Sequence, residues 1–221
     1  MTLSFPPSPS VGQGYQQFQW DGAKWVPNPG AVPGLVTSVN GQSGAVNLLG
    51  SRVLILRQDV SAAVASVNFI SGIDSTYDEF ELHWYGVQTT GGSFLFARTS
   101  NNNGASWDAG TSYSYATMFG NSSAPAASGG GANNASLMQI SNSIDQTSSR
   151  ISSGVMNFWP RPSGQSSSLL TRSHTTNNAN GLLVAMASGL NTNATGMNGL
   201  QIGANTGTIT AGTFILYGVK K

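Results

Sequence analysis

From Arg52 onward, apolar runs of strand length recur between clusters of Gly, Asn and Ser, and none extends with helical spacing. That texture constrains the fold more than any single residue does. An amphipathic helix repeats its apolar positions at i, i+3, i+4 and i+7, whereas a half-buried strand alternates with period two. RVLILRQDV (52–60) is one strand-length run. YDEFELHWYGV (77–87) alternates, with Phe80, Leu82 and Trp84 on one face and Glu79, Glu81, His83 and Tyr85 on the other. SFLFARTS (93–100) follows a Thr-Gly-Gly turn, so these two segments are expected to form a hairpin. Further strands are expected at VNFI (67–70), SYSYATMF (112–119), ASLMQIS (135–141), GVMNFW (154–159), SLLTRSH (168–174), LLVAMAS (182–188), GLQIG (199–203) and GTFILYGVK (212–220). LLVAMAS is made of residues that also favour helices, and the expectation there is still a strand. About eight strands in two sheets give an all-β fold, a jelly-roll-like antiparallel β-sandwich.

The stretches NNNGASWDAG (101–110), NSSAPAASGGGANN (121–134), PRPSGQSSS (160–168) and TTNNANG (175–181) are expected as loops. Pro and Gly punctuate the first fifty residues. FPPSPS (5–10) holds no helix and is expected to be extended. In YQQFQWDGAKWVPNPG (15–30), Asp21-Gly22 is a turn signal flanked by Trp20 and Trp25, which predicts a small hairpin with facing indoles. Residues 1–34, with Phe5, Tyr15, Trp20 and Trp25, are thus expected to form an extended N-terminal attachment arm. VTSVNGQSGAVNLLG (36–50) predicts a second hairpin around Asn40-Gly41. Its apolar residues Val36, Val39, Val46 and Leu48 are too few for a core, and an isolated two-stranded hairpin is marginal in water.

Charge is scarce. Asp, Glu, Lys and Arg make up 8% of the 221 residues, against roughly a quarter in ordinary soluble proteins. The surface must draw its polarity from Ser, Thr, Asn, Gln and Gly. A net charge of +1 offers no footprint for phosphates, so nucleic acid is not an expected partner. Without cysteine, neither disulfides nor thiolate metal sites contribute. The longest apolar run, GLLVAMASG (181–189), is far too short to span a bilayer, and no membrane insertion is expected. The opening MTLSFPPSPSVGQG has neither a basic leader nor an apolar signal core. Synthesis in a cytoplasm is expected, with assembly into a particle as one route outward.

Acidic residues gather at Asp74, Asp78, Glu79 and Glu81, but a glycosidase needs two carboxylates across one cleft. Glu79 and Glu81 share the natural solvent face of their strand. His83 and His174 are the two histidines, and no ligand spacing supports a metal. No GxSxG elbow is present. Catalytic residues, metals and cofactors are therefore not expected. The loop aromatics carry more information. Trp107 lies in NNNGASWDAG, Tyr113 and Tyr115 follow it, and Trp159 ends a strand at WPRP beside Arg161. An indole near Asn, Asp and Arg suits a sugar, whose apolar face stacks while its hydroxyls take hydrogen bonds. These five residues are the candidate glycan-binding set.

VTSVNGQSGAVNL resembles the VxSVNGxxGxVxL motif of bacteriophage tail fibres and other virion appendages. YQQFQWDGAKWVPNP is similar to the Trp- and Gly-containing stretch that often precedes that motif. TGTITAGTFILYGVKK resembles the final strand of the β-sandwich tips of those proteins, and YDEFELHWYGV with SFLFARTSNNNGASWDAG is similar to a strand pair there. The resemblance implies a homotrimer in which equivalent hairpins wrap together, giving Val36, Val39, Val46 and Leu48 their partners in neighbouring subunits.

On this basis the chain is expected to be a trimeric fibre of a phage or phage-like virion, made in the cytoplasm of a bacterial host. Residues 1–34 would dock to another virion protein, 35–50 would tie the trimer, and 51–221 would form a tip that binds host cell-surface glycan. The alternatives are a head or collar decoration with a purely structural role, and a tip that depolymerises the glycan it binds. Aromatic-rich loops favour binding over decoration, and the lack of a convincing carboxylate pair disfavours cleavage.

Overall fold

The computed structural model describes residues 7–15, 18–27, 38–39, 42–43, 52–122, 124–144, 150–161, 164–176, 181–193 and 196–219. The chain divides into two compact units, Met1–Leu48 and Leu49–Lys221.

In the first unit, β1 (Gly14–Tyr15), β2 (Phe18–Trp20) and β3 (Trp25–Pro27) form an antiparallel sheet in that order. Asp21 closes the turn between β2 and β3 by accepting the amides of Ala23 and Lys24, each at 2.8 Å. Gly22 takes a φ of 106°, which a residue without a Cβ adopts freely. The turn sets Trp20 opposite Trp25, and their rings meet edge to face with centroids 5.7 Å apart. The expected indole pair is present. β4 (Ser38–Val39) and β5 (Gln42–Ser43) pair with Val39 opposite Gln42, and Asn40 and Gly41 lie outside the described residues. Phe5, Val36, Val46 and Leu48 lie outside the described residues, as do the side chains of Tyr15 and Val39.

The second unit is an antiparallel β-sandwich without a helix among the described residues. Its strands are β6 (Arg52–Val60), β7 (Ser66–Phe69), β8 (Glu79–Thr89), β9 (Leu95–Ser100), β10 (Tyr113–Asn121), β11 (Ala124–Ala135), β12 (Met138–Gln139), β13 (Ser152–Trp159), β14 (Ser167–Thr176), β15 (Leu182–Asn191), β16 (Gly199–Ala204) and β17 (Ile209–Val219). The large sheet has the order β11-β10-β15-β14-β13-β8-β17-β6, and the small sheet has the order β12-β9-β16-β7. Twelve strands replace the expected eight or so.

Alternation places the core. Phe80, Leu82 and Trp84 of β8 point inward with Met156, Phe158, Phe214 and Leu216 from its neighbours. They meet Val67, Phe69, Leu95, Ala97, Leu200 and Ile202 from the small sheet, and all belong to one buried cluster. Phe80 stacks on Phe158 at 5.2 Å. Trp84, fully buried, donates its indole N–H to Ser152 Oγ at 3.2 Å, so its polar atom is satisfied. The ring needs space from β13: a Cβ at Gly154 would lie 2.4 Å from it. Burying a side chain of this size contributes roughly 2–3 kcal/mol.

Two expectations fail, each for a physical reason. The segments 77–87 and 93–100 do not form a hairpin. Both positions beside β8 are taken by β13 and β17, so residues 90–94 carry the chain across to the small sheet, where β9 pairs with β16 and β12. The second failure is the stretch 121–134, which is not a loop. Ala124–Ala135 forms β11, paired with β10 from Asn121↔Ala124 to Tyr113↔Ala135. Its Ala, Gly, Ser and Asn side chains carry no β-propensity, and the pairing rests on backbone hydrogen bonds. LLVAMAS is a strand, as expected, within the longer β15.

Candidate functional site

Because neighbouring strands are antiparallel, β7, β9, β13 and β15 end where β8, β10, β14 and β16 begin. The loops joining these pairs therefore gather at one end of the sandwich, the end at which the chain enters through Arg52. Two adjoining clefts open there. The larger, about 660 Å³, is lined by Ile73, Asp74, Ser75, Tyr77 and Asp78 from the β7–β8 loop, by Asn101, by Trp159, Pro160 and Arg161, and by Gly196, Met197 and Asn198. The smaller, about 120 Å³, is lined by residues including Thr99, Ser106, Trp107, Asp108, Asn191 and Asn193, and shares Asn101 and Gly196 with the first.

Buried Ile73 and Met197 give the larger cleft an apolar floor. Tyr77 is held half-buried by edge contact with Phe80 at 5.7 Å, and it occupies space that a Cβ at Gly218 would fill. Asp74, Asp78, Asn101 and Arg161 supply an exposed polar rim. Hydrogen bonds from the hydroxyl and then the amide of Thr76 hold the Asp74 carboxyl below its ordinary pKa. Asp74 is thus an ionised acceptor rather than a proton donor at neutral pH.

The loops are cross-braced. Asn198 Oδ1 accepts the Asn103 amide at 2.8 Å, while its Nδ2 donates to the Asn101 carbonyl at 3.0 Å. Ser100 Oγ accepts the Gly104 amide at 2.9 Å, and Asn102 Oδ1 accepts the Ser106 amide at 3.0 Å. Asp108 accepts Ser112 Oγ at 3.2 Å and Asn191 Nδ2 at 3.1 Å. Trp107 packs over backbone here, since a Cβ at Gly104 or Gly199 would stand 3.2 or 3.5 Å from its ring. A chain with so few charges braces this loop cluster mainly through Asn and Ser hydrogen bonds, with Asp108 as the one carboxylate among them.

Of the five candidate glycan residues, Trp159 and Arg161 border the larger cleft and Trp107 the smaller one. Tyr113 is a correction. It is fully buried, its hydroxyl accepting the Thr99 amide at 2.8 Å and donating to the Asp108 carbonyl at 3.1 Å, and burial raises its pKa. Tyr115 is a second correction. Two residues along β10, it points inward as well and packs against the core half-buried. Both belong to a strand, so period two sends them to the interior. Sequence reasoning missed Tyr77 and Met197 as cleft residues. Met197, an apolar residue inside the polar run NTNATGMNG (191–199), was the available signal.

Glu79 and Glu81 lie apart from these clefts, on the outer face of β8. Glu81 is bonded by Arg52, whose Nη2 is 3.0 Å away, and by His83 Nε2 at 3.2 Å; His83 Nδ1 is 3.0 Å from the Tyr85 hydroxyl. Asn157 donates to Glu79 at 2.6 Å. Burial pushes the Glu81 pKa up, but the bonds from Arg52 and His83 outweigh it and hold the group below its ordinary value. This is a structural brace across β6, β8 and β13. Among the described residues, no three His, Asp or Glu side chains gather as metal ligands, and no helix is long and apolar enough to cross a membrane.

No protein-family model, curated protein or solved structure matches this chain.

Proposed function

We propose that the protein is a trimeric fibre of a phage or phage-like virion that attaches through its N-terminal arm and binds host cell-surface glycan through the β-sandwich. The observation that carries the glycan reading is the larger cleft. Its apolar floor and aromatic residues suit the carbon face of a sugar, and its Asp, Asn and Arg rim suits hydroxyl groups. Cross-bracing of the loops reduces the ordering cost of binding. Several weak sites on one particle gain avidity of about 10²-fold or more.

Binding is favoured over cleavage by the aromatic lining of the cleft, and Asp74, held ionised by Thr76, does not serve as the proton donor that a glycosidase needs. A glycan array with the purified chain, read beside turnover of host polysaccharide, tests the proposal. Retention of a defined set of glycans without shortening them is the expected result. Binding to none would leave a decoration role, and shortened chains would make the protein a depolymerase.

A further inference from the structure

The smaller cleft has a chemistry of its own. Part of its polar lining is already committed: Thr99 Oγ1 accepts Asn191 Nδ2, while Asp108 takes Ser112 Oγ on one oxygen and Asn191 Nδ2 on the other. Other groups have no partner among the described residues. These are the side-chain amide of Asn101, Oδ1 of Asn193, the indole N–H of Trp107 and the hydroxyl proton of Ser106, whose oxygen accepts Asn102 Nδ2 at 2.8 Å. Buried Trp84, by contrast, satisfies its N–H on Ser152. Donors and acceptors are mixed in this set, and no Lys, Arg or His lines the cleft among the described residues. Such a lining suits hydroxyl groups, which both give and take hydrogen bonds, and does not suit an anion.

The two clefts have Asn101 and Gly196 as a common wall. Asn198, on the larger side, donates to the Asn101 carbonyl and accepts the Asn103 amide, so this boundary is braced. The exposed Asn101 side chain stands at the junction. Size separates the two roles. The larger cleft, at about 660 Å³, is in the range of pockets that enclose a whole drug-sized ligand. The smaller, at about 120 Å³, has the volume of roughly four waters. It is too small for an independent ligand of that size and suits the hydroxyl-bearing edge of a sugar anchored next door. We infer that the smaller cleft is a second subsite, and that the ligand is an oligosaccharide bound along its length across both clefts. The inference rests on the glycan reading of the larger cleft and adds the chain length that the site requires. A terminal sugar fills the larger cleft alone, whereas a chain passing Asn101 sets its next unit against Trp107 and Asn193. Because the loops are braced before binding, the added contacts carry little ordering cost.

The test is calorimetric titration of the purified full-length chain with a length ladder of oligosaccharides cut from the polysaccharide that the array retains. Affinity is expected to rise about tenfold from the shortest oligomer that binds to longer ones, and then to level off. Trp107→Phe keeps a ring beside Gly104 and Gly199 but removes the indole N–H. Asn193→Ala changes an exposed side chain and leaves its backbone amide on Asn191 Oδ1. Each is expected to weaken the long oligomers several-fold and to leave the shortest unchanged, with melting temperature as the check on folding. Affinity independent of length overturns the inference and leaves the larger cleft as the whole site. Wild-type affinity for the long oligomers in folded Asn193→Ala and Trp107→Phe overturns it as well. Binding of no oligomer of any length overturns the glycan reading itself.

Discussion

The two halves of the large sheet's outer face share one backbone pattern and differ in how they treat their outward side chains. Around β8 these side chains bond to one another: Arg52, Glu81 and His83 link three strands, and Asn157 bridges to Glu79. On β15 the outward side chains are Leu182, Val184, Met186 and Leu190 with Ser188 among them, and Arg172 and His174 of β14 stand opposite Met186 and Val184. The first half meets its needs within one copy of the chain. The second half leaves several large apolar side chains half-exposed. A protein that is only 8% charged has placed part of that charge where it braces strands.

That contrast can be broken from the inside first. Gly154 lies on the inner side of β13, beneath the charged half, with no space for a Cβ beside Trp84. Gly154→Ala is expected to cost about 1–3 kcal/mol, the usual range for overpacking a filled core. Chemical denaturation would read it as a lower midpoint at unchanged slope. If the stability stays within error of wild type, the Trp84 packing described above is wrong.

A smaller effect sharpens the charged half alone. Glu81 has a lowered folded pKa, so its stabilising contribution is complete above the unfolded value and is lost as pH falls through the folded one. Wild type should therefore lose more stability than Glu81→Gln as pH drops from neutrality through the carboxylate range. At neutral pH the substitution should cost about 1 kcal/mol, because the Arg52 partner is more than half exposed and solvent screens the pair. Parallel pH curves for the two proteins would show that the brace contributes nothing. The exposed Arg57–Asp59 pair on β6, with both side chains more than half exposed, should matter least, and Arg57→Ala should leave the melting temperature nearly unchanged.

Much of this arrangement is legible in the sequence. The alternation of YDEFELHWYGV assigns Phe80, Leu82 and Trp84 to the core and Glu81 and His83 to the outside, as found. Asp21-Gly22 specifies the turn that joins Trp20 to Trp25, because carboxylate and glycine each do a local job there. β11 is not legible, since APAASGGGANNA has neither β-branched residues nor alternation, and its strand exists only because β10 offers it backbone partners. Tyr113 and Tyr115 are misassigned to the binding set although SYSYATMF is read as a strand, because the period-two alternation of β10 turns both rings inward. The cleft is half legible. Trp159 and Arg161 stand out, whereas the convergence of Tyr77 and Met197 on them follows from strand order, which no local pattern encodes.

The most direct test of the glycan reading is the affinity of the purified oligomer for an oligosaccharide selected on the array, measured for wild type and for Trp159→Ala with Arg161→Ala. Loss of one ring contact and one charged donor should weaken binding by about tenfold or more, with stacking supplying roughly 1 kcal/mol of it. The melting temperature should hold, because both residues sit at the rim of the domain and outside the buried cluster. Unchanged affinity in a folded double variant would contradict the assignment of the glycan site to this cleft.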